Sequence, residues 1–255
     1  MVHLKGLPGS PRPNAMDAVV DAALRDARTL VEAGFDGLMV ENFGDSPFYA
    51  EQVPPVTIAA MSRVLAELRA LLGSRVRLGV NVLRNDARAA LSIAAACGGD
   101  VIRVNVHSGA RVTDQGLITG RAEQTLRLRR ELGVEELAIW ADLAVKHSAP
   151  LGQARPAAEE ALELLERGGA DALILTGAGT GKAVDIMELR QLRRSLPAGA
   201  ALLVGSGVTA NSVAPLLELA DGVIVGTSVK EEGRTIAPVD PARAAALVAA
   251  TRGLA

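Results

Sequence analysis

Carboxylates and amines lie at the ends of several short apolar runs in this sequence. Glu41 ends the run GLMVE, Asp142 lies near the end of LAIWADL, and Lys5 and Lys146-His147 also follow apolar residues. Carboxylates enclosed by protein can be tuned to act as general acid and base. A lysine amine can act as an electrophile, a phosphate partner or a Schiff-base nucleophile. These five residues are the candidate catalytic set, and the sequence leaves their individual roles open.

Two consecutive apolar runs near the C-terminus end in glycines and small hydroxylic residues. Gly205-Ser206-Gly207 follows one run, and Gly226-Thr227-Ser228 follows the next. Neighbouring parallel strands that end in this way present free main-chain N–H groups, and barrels commonly bind phosphate at such a place. We therefore expect an anionic group of a ligand to bind between these two segments.

A third glycine-rich segment, TGAGTGKA at 176–183, resembles a Walker A loop in part. That pattern needs Gly at position 176 and Ser or Thr at position 183, whereas this chain has Thr176 and Ala183. The segment predicts either an ordinary turn or a flexible loop that closes over an anion, with Thr176, Gly177 and Lys182 as its candidate contacts.

Strand and helix signals alternate along the whole chain. The predicted strands are 1–5, 37–41, 77–82, 101–106, 137–143 and 172–176, with the seventh and eighth inside 200–233. An Asp follows a helix stop and precedes every second strand, at Asp36, Asp100, Asp171 and Asp221. This fourfold recurrence predicts one α/β domain over 1–255, a closed (β/α)8 TIM barrel in which the four Asp residues are structural caps. An open doubly wound sheet is the main alternative.

Alternation along the strands separates polar side chains that face the barrel interior from apolar ones that face the helices. The interior set is His3, Lys5, Glu41, Asn81, Arg103, Asn105, His107 and Asp142. A polar interior is costly unless its charges pair or act, so a satisfied cluster of buried ion pairs is the structural alternative. The expected substrate- and phosphate-binding residues are Asn81, Arg103, Asn105, His107, Thr176, Gly177, Lys182, Gly205, Ser206, Gly207, Gly226, Thr227 and Lys230.

Composition and charge argue against several classes of partner. The formal net charge is -2, so electrostatics give no reason to expect nucleic acid or an anionic membrane. No apolar stretch reaches the roughly 18 residues of a membrane span, and we expect a cytoplasmic protein without membrane insertion. The Ala- and Leu-rich helices favour a homo-oligomer.

No cofactor is predicted from the sequence, and FMN is not expected. A divalent metal is an open alternative, since Glu41, Asp45, Asp142 and His147 carry suitable ligand atoms. The spacing of these four residues matches no metal-binding motif.

Five segments together resemble the BtpA/SgcQ family. They are HLKGLPGSP at 3–11, ENFGDSPF at 41–48, VKHSAPL at 145–151, GSGVT at 205–209 and DGVIVGTSVK at 221–230. The resemblance covers essentially the whole chain and implies a (β/α)8 barrel of the ribulose-phosphate-binding type. Family members carry names that range from photosystem assembly to nucleotide hydrolysis, so the resemblance transfers no catalytic residue.

Two functions fit these observations. The first is an enzyme that acts on a small phosphorylated metabolite, either a sugar phosphate or a nucleotide-like compound. Lyase or isomerase chemistry suits a barrel that has acid, base and amine groups and no redox motif. The second is a non-catalytic assembly or regulatory factor, of the photosystem I biogenesis type, that uses the barrel as a platform for a ligand or a partner.

Overall fold

Eight parallel strands form the central sheet of the computed structural model, which describes residues 1–143, 148–177 and 184–252. They are β1 (Val2–His3), β2 (Gly37–Glu41), β3 (Arg77–Asn81), β4 (Val101–Val104), β7 (Ala138–Leu143), β9 (Ala172–Leu175), β10 (Ala201–Val204) and β11 (Gly222–Val223). Spatial order follows chain order without reversal, whereas a doubly wound sheet reverses at a switch point. The main-chain nitrogen of Met1 donates to the carbonyl oxygen of Val225 at 2.7 Å, so the two end strands also meet. The predicted TIM barrel is confirmed.

Helices connect these strands and bury their apolar faces against the outside of the sheet. They are α1 (Met16–Ala33), α2 (Pro55–Leu72), α3 (Ala87–Cys97), α4 (Ala122–Glu131), α5 (Ala157–Leu162), α6 (Ile186–Ser195), α7 (Val213–Leu217) and α8 (Pro241–Ala249). A π-helical turn, Glu163–Arg167, continues α5. The core between sheet and helices is built almost wholly of Ala, Val, Leu and Ile, as expected from so few aromatic residues.

A small antiparallel sheet lies outside the barrel and was not predicted. Its strands are β5 (Ala110–Thr113), β6 (Gly116–Thr119) and β8 (Ser148–Pro150), in the order β6-β5-β8. The sequence indicates only polar loops after the fourth and fifth barrel strands. β5 and β6 form a local hairpin, but β5 also pairs with β8, with Val112 opposite Ala149, and local sequence patterns do not reveal such distant pairing.

Three of the four repeated Asp residues hold the amino ends of the strands together. Asp171 accepts hydrogen bonds from the main-chain nitrogen of Ile139 and from Arg129, both at 2.7 Å. Asp100 binds Leu78 and Arg69 in the same way, and Asp221 binds Leu202 and Arg193. Each Asp therefore joins a helix to the neighbouring strand, which supports their interpretation as structural caps.

Asp171→Ala is expected to lower the free energy of unfolding by about 1–2 kcal/mol, because it leaves a strand N–H and an arginine without their shared acceptor. Asp36→Ala is the matched control. Asp36 has the equivalent place in the repeat, and its carboxylate accepts no hydrogen bond within the described part of the chain. Urea denaturation of both variants measures the difference, and equal losses would contradict the assignment.

Candidate active site

Four polar side chains form one row across adjacent strands inside the barrel. Strand register pairs His3 with Glu41, Glu41 with Asn81, and Asn81 with Arg103. Glu41, Asn81 and Arg103 are buried, and Nε2 of His3 lies 3.7 Å from Oε1 of Glu41. The interior positions predicted from alternation are therefore brought together, because parallel strands in register align the residues that point the same way.

Asp142 is fully engaged by donors within the barrel. Its Oδ1 accepts from Nε of Arg103 at 2.8 Å, and its Oδ2 accepts from Nη2 of Arg103 at 3.0 Å. Asn105 also donates to Oδ2, at 2.7 Å, and Asn81 donates to Asn105 at 3.2 Å. Burial acts against the charge of Arg103, but Asp142 outweighs it and raises the pKa of Arg103 above its ordinary value. This geometry suits Asp142 to positioning a permanently charged arginine.

Glu41 differs from Asp142 because its carboxylate lines two cavities and accepts no hydrogen bond from the described residues. Nε2 of the His3 ring lies 3.7 Å from Oε1 of Glu41. Glu41 lines two adjoining cavities and is only 7% exposed. A buried carboxylate that faces a cavity and has its oxygens available is suited to moving protons on a ligand.

One of these cavities, which we name the glycine cavity, lies between the residues that follow β10 and β11. Its volume is about 210 Å³, and it is lined by 205–209 and 226–228 together with His3, Glu41 and Arg103. Gly207 has a positive φ of 72°, which suits glycine and turns the chain after β10. Within the described residues, the main-chain N–H groups of Gly207 and Gly226 donate to no protein acceptor. The lining of the cavity therefore combines free main-chain donors with a carboxylate and an arginine.

The second cavity, which we name the mouth cavity, adjoins the first and is larger. Its volume is about 860 Å³, and its polar lining includes Lys5, Arg12, Arg84 and Asn105. Burial lowers the pKa of Arg84, and Asp142 is the main group that opposes this shift. His3, Glu41 and Phe43 line both cavities, so a single ligand can extend from one into the other past Glu41.

Within the described part of the chain, five of the predicted binding residues line neither of these cavities: Lys230, His107, Asn81, Thr176 and Gly177. Lys230 is fully buried, and its ammonium pairs with Asp26 on α1, which leaves it facing the helix layer. His107 lines a separate polar cavity and bonds through Nε2 to the carbonyl of Gly168 at 2.8 Å. Burial is the main cause that lowers the pKa of His107. Neither Lys230 nor His107 is therefore part of the candidate site formed by the two cavities.

The other predicted residues fall into three groups: those that line neither cavity, those that line the glycine cavity or the mouth cavity, and those outside the described part of the chain. Thr176 and Gly177 are buried directly after β9 and line neither the glycine cavity nor the mouth cavity. Ser206 and Thr227 line the glycine cavity. Lys146, His147 and Lys182 lie outside the described residues, and their expected roles stay predictions.

Several residues of the site were not in the predicted set. Thr235 lines the glycine cavity, and its hydroxyl lies 2.9 Å from that of Thr227. Ser228 also lines it and donates to the carbonyl of Val208 at 2.6 Å. His3 was assigned to the barrel interior by strand alternation but was given no role. Thr235 follows no strand, so only the path of the loop after β11 could have revealed it.

The alternative of a divalent metal gains no geometric support from the described part of the chain. Asp45 accepts hydrogen bonds from Leu7 at 2.8 Å and from Asn42 at 3.1 Å, which commits it to holding a loop. No cluster of three or more His, Cys, Asp and Glu side chains occurs among the described residues. His147, the remaining member of the proposed ligand set, lies outside them.

Eight parallel strands in chain order, with helices outside and a buried Arg103–Asp142 ion pair inside, define a (β/α)8 protein, a class in which ligand sites commonly lie at the carboxyl ends of the strands. The chain belongs to the BtpA family, whose model matches residues 1–253. No helix in the described residues is both long enough and apolar enough to cross a membrane.

Two relatives show the range of names in this family. A protein of Thermococcus kodakarensis described as uncharacterised is 45% identical over 97% of this chain and 92% of its own length. The photosystem I biogenesis protein BtpA of Synechocystis is 41% identical over 98% of this chain and 86% of its own length. These relatives agree on the family and leave the reaction open.

Solved structures with the same fold are more distant in sequence. A structure described as native KDPGal has a TM-score of 0.61 at 18% identity, covering 91% of this chain and 89% of that one. Phosphoribosyl anthranilate isomerase from Thermus thermophilus has a TM-score of 0.56 at 16% identity, covering 91% of this chain and 95% of that one. At this identity the likeness establishes the fold alone.

Proposed function

We propose that this protein is an enzyme that acts on a small phosphorylated metabolite by lyase or isomerase chemistry. The observation that carries the proposal is the glycine cavity, whose lining combines Gly207 and Gly226, with N–H groups that have no acceptor among the described residues, and the carboxylate of Glu41. Main-chain donors at the ends of the last two strands suit a phosphate. The name of the isomerase with the same fold is consistent with this substrate class.

In this proposal different residues of the cavities bind the phosphate, transfer the proton and stabilise the developing charge. The phosphate accepts hydrogen bonds from Gly207 and Gly226, and the reacting carbons lie beside Glu41. Glu41 removes a proton from carbon next to a carbonyl group and returns it to a neighbouring atom, so that no atom is gained or lost. Arg103, held by Asp142, stabilises negative charge that develops on the carbonyl oxygen. Lys5 contacts the far end of the ligand in the mouth cavity.

A binding screen tests the proposal directly. Inorganic phosphate, sugar phosphates and nucleotides are added to the protein, and the melting temperature is measured. A ligand present at 100 times its dissociation constant stabilises the folded state by about 2.7 kcal/mol. We expect phosphorylated compounds to raise the melting temperature and their dephosphorylated counterparts to have little effect. A screen in which no phosphorylated compound stabilises the protein contradicts the proposal.

Gly226→Ala is expected to weaken binding of phosphorylated ligands by about tenfold or more. The added methyl would lie 2.9 Å from Cε1 of His3, so the His3 ring, which lines the same cavity, must shift and change the space beside the Gly226 N–H. Gly37→Ala is the matched control, because the nearest atom to its methyl is the carbonyl oxygen of Arg77 at an ordinary 3.5 Å. Isothermal titration calorimetry measures both variants. If Gly226→Ala binds phosphorylated ligands as tightly as the wild-type protein, the anion does not bind beside Gly226.

A non-catalytic role is the second candidate, and the name of the Synechocystis relative favours it. A regulatory or assembly factor would keep the ligand cavity as a sensor and would not need proton transfer. The two candidates differ in the phenotype of cells that carry Glu41→Gln, which leaves the buried Arg103–Asp142 pair intact. The enzyme proposal expects loss of function in these cells, and the assembly proposal expects function to be retained.

A further inference from the structure

The few aromatic residues of this chain are unevenly placed. The sequence has three Phe, one Trp and one Tyr, and two of the three Phe, Phe43 and Phe48, line the mouth cavity. Both are only partly buried, although the core itself is filled by aliphatic side chains. An aromatic ring that remains partly exposed forgoes part of its burial energy. Their shared position therefore indicates a surface that a ligand covers.

The loop that carries these rings is held rigidly to the barrel. Asn42 exchanges hydrogen bonds with the main chain of Leu83, at 2.7 Å and 3.4 Å. Asp45 accepts from the Leu7 nitrogen, and the nitrogen of Gly44 donates to the carbonyl of Leu4 at 2.9 Å. Phe43 lies between these attachments, with its ring centroid 4.9 Å from that of His3. A ring presented on a fixed backbone loses little freedom when a ligand stacks on it.

The two cavities suit two parts of one molecule. The glycine cavity, about 210 Å³, is small and offers main-chain donors, whereas the mouth cavity, about 860 Å³, is larger and has aromatic and aliphatic walls. Pockets of this larger size and lining commonly hold ring systems. Because Phe43 lines both cavities, a ring on Phe43 and Phe48 and a phosphate at Gly226 can belong to the same ligand.

We propose that the mouth cavity binds a planar ring that is joined through a sugar to the phosphate in the glycine cavity. This inference rests on the proposed function and narrows its substrate class from phosphorylated metabolites in general to ring-bearing sugar phosphates. The ring stacks on Phe43 and Phe48, and Lys5 and Arg12, at the edge of the cavity, face its polar substituents. Stacking of a base on an aromatic side chain is tolerant of the particular ring.

Ligands that share ribose and phosphate but differ in the ring test this inference. Dissociation constants are measured by isothermal titration calorimetry for ribose 5-phosphate, adenosine 5′-monophosphate and uridine 5′-monophosphate. We expect at least one nucleotide to bind about tenfold more tightly than ribose 5-phosphate. Phe48→Ala should remove this difference while changing the affinity for ribose 5-phosphate less than twofold. Phe48→Leu, which keeps apolar volume but lacks the ring, should lie between the two.

Tyr49→Ala is the control for the substitution itself. Tyr49 follows Phe48 directly, is 58% exposed and does not line the mouth cavity, so its loss should leave all three affinities unchanged. The inference is overturned if neither nucleotide binds more tightly than ribose 5-phosphate, or if Phe48→Ala weakens all three ligands equally. If none of these three ligands binds the wild-type protein while another phosphorylated compound of the binding screen does, this inference fails alone; if no phosphorylated compound binds, the proposed function fails as well.

Discussion

Glu41→Gln is expected to lower turnover of a phosphorylated substrate by 10²-fold or more while its binding changes less than about threefold. The amide has nearly the same shape as the carboxylate but cannot take up and return a proton, and general acid–base catalysis contributes about 10²–10⁴-fold to rate. Glu41 makes no hydrogen bond that the amide would lose, at least among the described residues. The measurements are the turnover rate with the ligand that the binding screen identifies and the dissociation constant of the same ligand.

Glu51→Gln is the control for the loss of one negative charge. Glu51 pairs with Arg121 at the surface and has a side chain that is 52% exposed, so neither turnover nor binding should change. A Glu41→Gln variant that keeps more than a tenth of the wild-type turnover would assign the proton transfer to another group. Wild-type protein that binds phosphorylated ligands but converts none of them favours the regulatory candidate.

Lys230→Met is expected to lower the free energy of unfolding by about 3–5 kcal/mol, because removing one partner of a buried ion pair leaves the other charge uncompensated. Asp26 would keep a single donor, the main-chain nitrogen of Val239 at 2.9 Å. Because Lys230 does not line the glycine cavity, the affinity for phosphorylated ligands should stay within about twofold. Urea denaturation and calorimetry of the folded variant measure the two effects separately.

A double variant separates charge from packing at this pair. Asp26→Asn combined with Lys230→Met removes both charges, and the amide oxygen can still accept from Val239, so most of the lost stability should return. Arg63→Met is the surface control, since Arg63 and Asp17 form an exposed pair and such pairs contribute at most about 1 kcal/mol. A single variant as stable as wild type, or a double variant with no recovery, would contradict the expected role of the pair.

Most of the barrel was predictable because its signals are local. Alternation of apolar and polar residues identified the strands, and the Asp that recurs at 36, 100, 171 and 221 identified their fourfold arrangement. The interior row of His3, Glu41, Asn81 and Arg103 also followed from alternation, because in-register parallel strands align equivalent positions. The glycines after β10 and β11 indicated the cavity that they line, since residue type and strand end suffice for that prediction.

Only the tertiary structure distinguished the roles of Glu41, Asp142 and Lys230. Glu41 and Asp142 are equivalent in sequence terms, but Arg103 and Asn105 occupy both oxygens of Asp142, whereas Glu41 faces the two cavities. Lys230 also matched the expected pattern of a lysine after a strand, but it turns towards Asp26 in α1. The sequence by itself determined the interior positions and the glycine-rich strand ends, because each depends on neighbours within a few residues, and the repeated Asp before every second strand predicted the barrel arrangement. The pairing of charges depended on the whole fold, because partners such as Lys230 and Asp26 are 204 residues apart in the chain.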